Sequence, residues 1–79
     1  MNIEVRLYAG LRAPSVDSSS EAILVTLAGG MTLSDLLAHL GVPADLVHLA
    51  IINGRIDHDR TVRLADGDRV ALFPPIGGG

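Results

Sequence analysis

The residues with chemical potential in this sequence gather at one end. Phe73-Pro74-Pro75 leads into Ile76-Gly77-Gly78-Gly79. Without a Cβ, three consecutive glycines form a backbone thin enough to enter a channel closed to other residues. Pro74-Pro75 is stiff and extended and should hold this segment off the domain. Fully extended, Pro75 to Gly79 spans roughly 16 Å. The other candidates are weaker. With no cysteine there is no disulfide, thiolate metal site or thiol nucleophile. His39, His48 and His58 lack a metal-ligand spacing and read as surface or interface histidines. His58 lies between Asp57 and Asp59, beyond a tight-turn signal, and is expected to be solvated. Asp66-Gly67-Asp68 lacks the later ligands of a calcium loop, and Gly29-Gly30 lacks the Lys-Ser/Thr of a phosphate loop. Arg6, Arg12 and Arg69 read as a charged outer face, the commoner explanation, with contact to an acidic partner as the alternative. No metal ligand is assigned.

The elements that must position the glycine segment follow from periodicity. Ile3, Val5 and Leu7 alternate with Glu4, Arg6 and Tyr8, a half-buried strand. Ala9 to Glu21 is rich in Gly, Pro, Ser and Asp and reads as a loop. A second strand runs from Ala22 to Leu27 and stops at Gly29-Gly30. Thr32 is placed to cap a helix, with Asp35 three residues on. Leu33, Leu36, Leu37 and Leu40 form one apolar stripe, and Gly41 and Pro43 end it. Pro43 can start a short further turn through Ala44 and Asp45. Leu49 to Ile52 is a third strand, closed by the turn signal Asn53-Gly54. Thr61 to Leu64 reads as a short extended strand. Asp66-Gly67-Asp68 turns the chain into the last strand, Arg69 to Phe73. Val70 and Leu72 then face the core, leaving Ala71 and Phe73 on the other face, where Tyr8 also points.

Composition narrows the function classes. At 79 residues the chain is one domain with a modest core and no room for a deep substrate cavity. Residues 1–75 form the domain and 76–79 a flexible C-terminal tail. Apolar residues make up 48%, but the aromatics are only Tyr8 and Phe73, so the core is aliphatic. A net charge of −3 gives nucleic acid no electrostatic hold. No signal peptide or membrane span is visible, and a soluble, cytoplasmic protein is expected. All six basic residues are arginine. GC-rich codon usage explains that, and so would a need to keep amine nucleophiles away from an activated acyl group.

One leucine-striped helix needs one sheet to cover, which predicts a two-layer α+β domain. With the first two strands as a hairpin and the last beside the first, the arrangement is a β-grasp: a mixed sheet of four to five strands under one main helix. The block from Leu64 to Gly79, with its Asp-Gly-Asp turn, apolar strand, Phe-Pro-Pro and Gly-Gly end, resembles the MoaD/ThiS family of ubiquitin-like sulfur carriers. The stretches Val5 to Arg12, Thr32 to Leu37 and Ile52-Asn53-Gly54 are similar to that family's first strand, helix start and third-strand turn. The resemblance spans essentially the whole chain. Phe-Pro-Pro is more like the molybdopterin synthase small subunit, whereas the triple glycine from Gly77 is more like the thiamin-pathway carriers.

The resemblance implies a carrier that is not an enzyme by itself. A ubiquitin-activating-type adenylyltransferase would transfer AMP from ATP to the carboxylate of Gly79, the reacting residue. A persulfide donor would then convert it to a thiocarboxylate, and a larger catalytic subunit or another acceptor enzyme would take the sulfur. The chain itself would bind no cofactor; ATP belongs to the partner. Gly77, Gly78, Ile76 and Pro75 would thread the partner's channel. Phe73 and Tyr8, with nearby Leu or Ile side chains, would form the docking patch, unless they are only a cross-strand pair. Molybdopterin synthesis leads, with thiamin synthesis, tRNA thiolation and tungsten-cofactor synthesis behind it. A protein modifier joined to targets through Gly79, and an interaction module without C-terminal chemistry, are the competing classes.

Overall fold

The computed structural model describes residues 1–14 and 22–75. Strand β1 is Asn2–Leu7 and β2 is Ala22–Thr26; they pair antiparallel, with Val5 opposite Ile23 and Ile3 opposite Val25. These four side chains are buried, while Glu4 and Arg6 between them face outward, as the alternation dictates. Helix α1, Leu33–Leu40, crosses the inner face with all four predicted leucines buried. Its start is a full capping box. The Asp35 amide donates to Thr32 Oγ1 at 3.2 Å, and the Thr32 amide donates to the Asp35 carboxylate at 2.8 Å. Gly41, at φ 75°, ends it in the left-handed conformation that side chains resist. A single 3₁₀ turn follows at Ala44–Leu46.

Strands β3 (Leu49–Ile52), β4 (Arg55–Asp57) and β5 (Arg69–Phe73) complete one mixed sheet in the order β2-β1-β5-β3-β4. The central pair, β1 and β5, is parallel, and every other pairing is antiparallel. This is the expected β-grasp, with five strands. Its core is wholly aliphatic, from Ile3 to Leu72, and among the described residues no polar side chain is buried. No helix among them is long and apolar enough to cross a membrane.

The fourth strand lies elsewhere than the sequence suggested. Asn53-Gly54, both at positive φ, folds the chain straight back, so Arg55–Asp57 pairs with β3. The run Thr61 to Leu64 adds no strand to the sheet. It makes one bridge, Arg63 with Thr32, and its carbonyls and amides serve the helix start: Leu33 N donates to Val62 O and Leu64 N donates to Met31 O, each at 2.9 Å. The first two amides of helix α1, Leu33 and Ser34, are thus satisfied by the carbonyls of Val62 and Arg60, and the third, Asp35, by the Thr32 hydroxyl.

Asp59 holds the segment in place. Its carboxylate accepts from the Thr61 hydroxyl at 2.6 Å and the Thr61 amide at 2.8 Å. These two bonds, hydroxyl first, hold its pKa below the ordinary 3.8. A depressed folded-state pKa gives stability that is complete above the unfolded value and is lost as pH falls through the folded one. The stability gap between the wild type and Asp59→Ala should therefore be widest at neutral pH and narrow as pH falls below 3.8 through the lowered folded-state value. Thermal melts of both proteins across that range check this. A gap independent of pH would assign the Asp59 effect to something other than its charge.

Candidate functional site

The site is built around the end of β5, and its geometry is set at the other end of that strand. The Asn2 amide donates to Asp66 Oδ1 at 2.7 Å, the Gly67 amide to Asn2 O at 2.8 Å, and the Glu4 amide to Asp68 O at 3.0 Å. On the opposite flank Asn53 Nδ2 donates to Asp68 Oδ1 at 2.8 Å, and Asn53 Oδ1 accepts from the Arg69 amide at 2.9 Å. The Asp-Gly-Asp turn therefore clamps β5 between β1 and β3. Register follows: Glu4 opposite Arg69, Arg6 opposite Ala71, and Leu7 opposite Leu72.

One residue further along, Tyr8 and Phe73 meet. Their rings stack at 4.6 Å between centroids, 10° from parallel. The Tyr8 amide donates to Leu72 O at 3.1 Å, and Phe73 O accepts from the His48 amide at 2.9 Å, so the backbones carrying both rings are tied to the sheet. Leu49 lies opposite Phe73 on the other side. A tight turn with Ala9 at φ 55° and Gly10 at φ 81° then carries the chain away from Tyr8, and the Leu11 amide closes it onto Tyr8 O at 3.1 Å. The sequence alternation places Tyr8 and Phe73 on the same outer face, and the structure brings them into contact.

Pro74 is half-buried and Pro75 exposed, so the chain leaves the domain beside this ring pair. The other predicted site residues, Ile76, Gly77, Gly78 and Gly79, lie outside the described residues.

The face around the ring pair is more apolar than an ordinary outer face. Helix α1 seals the inner side of the sheet, yet Tyr8 is 41% exposed, Ile56 61% and Leu24 81%, all on the outer side by register. Ile51 and Ala71 join them in the middle row. Ile51 and Ile56 were not singled out from sequence. The alternation within Leu49 to Ile52, where Ala50 alone is fully buried, would have been the signal. Glu4 sits on the same face with Arg6 at 4.0 Å and Arg69 at 3.8 Å. His39, His48 and His58 are all exposed, and among the described residues no group of His, Asp or Glu is arranged to hold a metal.

Comparison with known proteins fits this geometry. The ThiS family profile matches residues 17–79. No curated protein matches the sequence. Among solved structures, the chain is similar to small archaeal modifier protein 1 of Haloferax volcanii. The identity is 26% and the TM-score 0.71, covering 95% of this chain and 98% of that one. It is also similar to the Haloferax volcanii HVO 2177 protein, with 27% identity, a TM-score of 0.73, and coverage of 100% and 87%. A third neighbour comes from the complex of subunits 1 and 2 of the Helicobacter pylori molybdopterin-converting factor. There the identity is 25% and the TM-score 0.64, with both chains fully covered.

Proposed function

The chain belongs to the ThiS family, and from that premise we propose that it is a sulfur carrier loaded at Gly79. The observation that carries this reading is that the family match runs through Gly77-Gly78-Gly79. A carboxylate resists substitution until one oxygen becomes a leaving group. A ubiquitin-activating-type partner supplies that by transferring AMP from ATP and releasing pyrophosphate. The outer sulfur of a persulfide then bonds to the Gly79 carbonyl carbon as AMP departs. Cleavage of the S–S bond by a thiol leaves the thiocarboxylate. This chain contributes the acyl end, a segment slim enough to thread a closed active site, and a rigid root for it at Pro74-Pro75 and the Tyr8–Phe73 pair.

Molybdopterin synthesis is the favoured pathway, because a neighbouring structure is one subunit of a molybdopterin-converting factor seen in complex with the other. A larger catalytic subunit would then accept the sulfur. Thiamin, tRNA-thiolation or tungsten-cofactor pathways would use the same carrier chemistry. The likeness to a small archaeal modifier protein favours a second reading, conjugation of Gly79 to target amines, which shares the adenylation step.

Intact mass spectrometry of the protein co-expressed with its activating enzyme tests both. The carrier reading expects a gain of about 16 Da at Gly79, oxygen replaced by sulfur. Isopeptide-linked adducts without that gain would move the protein to the modifier class. An unmodified terminus beside a demonstrably active enzyme overturns both.

A further inference from the structure

We propose that Arg6 and Arg69, with Glu4 between them, form a receptor for a carboxylate side chain of the protein that docks on the outer sheet face. The proposal rests on the reading above, in that a partner must cover Tyr8 and Phe73, and it names the chemistry that partner presents.

The three residues share one face: Glu4 lies opposite Arg69 across the parallel pair, and Arg6 is two residues further along β1. Among the strand residues, they are the only ionisable side chains that the register places on that face. Two guanidiniums thus share one carboxylate, in a chain whose total charge is −3. The pairing is loose. At 4.0 and 3.8 Å the contacts exceed the 2.7–2.9 Å typical of a charge-assisted hydrogen bond. Both arginines therefore keep donors for an incoming group, and Arg69 is 80% exposed at its side chain. Glu4 acts as a placeholder. It offsets the repulsion between the two guanidiniums in the free protein and competes with the visitor.

The surface between them is concave. A shallow depression of about 280 Å³ is lined by Glu4, Arg6, Tyr8, Ile51, Arg69 and Ala71. Its volume lies at the lower edge of the roughly 300–1,000 Å³ of small-molecule sites, and it is open to solvent, so a side chain of a docked partner has room to enter. Ile51 and Ala71 give it an apolar floor, where an ion pair is less screened than in open water. Tyr8 belongs to both this depression and the ring pair, so a partner covering Tyr8 and Phe73 reaches it without a gap. Phosphate backbones are a poorer match. They bind through many basic contacts, and here Glu4 stands between only two.

The test is the KM for this chain in ATP–pyrophosphate exchange by the activating enzyme encoded in its own genome, over a range of salt. Arg6→Glu and Arg69→Glu should each raise KM about tenfold and flatten its salt dependence. Arg63→Glu, the same charge change beside the helix cap, should stay within about twofold. Glu4→Gln removes the competitor and should lower KM roughly threefold, a gain that a merely structural ion pair would not give. Melting curves confirm that each variant is folded. Equal effects from Arg6→Glu, Arg69→Glu and Arg63→Glu, or a raised KM in Glu4→Gln, would overturn the receptor. So would tight binding of a DNA oligonucleotide that depends on Arg6 and Arg69, which would assign the pair to phosphate. Absence of exchange with the wild type overturns the tail reading instead. The receptor is then judged by calorimetric binding to the same enzyme, and no binding, or binding indifferent to Arg6→Glu and Arg69→Glu, sinks it.

Discussion

Replacing Gly78 with valine is expected to suppress adenylation and sulfur loading at Gly79 by roughly a hundredfold or more, while the domain melts within a degree or two of the wild type. The reason is steric. The reacting carboxylate must reach the nucleotide inside the activating enzyme, and a branched Cβ widens the segment and removes backbone conformations open only to glycine. A misplacement of about 1 Å at the reacting atom is enough to cost two orders of magnitude. Stability should be untouched, because every fully buried apolar residue described lies between Ile3 and Leu72. Single-turnover adenylate formation, followed by intact mass, measures the loss. Normal loading of Gly78→Val would mean that the channel tolerates side chains and that the glycines have another purpose. Deleting Gly78 and Gly79 removes the reacting group itself, and function surviving that deletion would move the protein to the interaction-module class.

The parts of this fold that were legible in the sequence are those in which a single element signals its own burial. Thr32 and Asp35 announce a capping box and make one, and the leucine stripe of α1 is buried along its whole length. The alternation in β1 and β5 correctly assigns Val5, Val70 and Leu72 to the core and Tyr8 and Phe73 to the outer face. What escaped depends on partners distant in sequence. Arg55-Ile56-Asp57 is too short to show a period and includes a residue strands disfavour, so β4 is recognisable only once β3 offers an edge. Thr61 and Val62 carry the β-branched signature of a strand, but the amides of Leu33 and Ser34 claim the carbonyls of Val62 and Arg60. Nothing local shows that Glu4 will face Arg69. That pairing is created by the Asp66 and Asp68 clamps on Asn2, Glu4 and Asn53.

Phe73→Ala is expected to raise the KM for the activating enzyme roughly thirtyfold, the range of an aromatic interface anchor costing about 2 kcal/mol, with kcat nearly unchanged. Phe73 closes the sheet immediately before Pro74-Pro75, so a partner that grips the ring fixes the root of the glycine segment and the direction in which it leaves. The ring also supports the fold. Its stack on Tyr8 contributes about 0.5–1.5 kcal/mol beyond buried area, so the variant should melt several degrees lower. The two effects separate in a cycle with Tyr8→Ala. Stability should show coupling between the two substitutions, since the two rings are in direct contact. In KM the double variant should lose little more than Phe73→Ala alone, because removing either ring dismantles the same contact surface. If Phe73→Ala lowers the melting temperature yet leaves KM where it was, the rings are a cross-strand packing pair, and the partner reads some other part of the sheet.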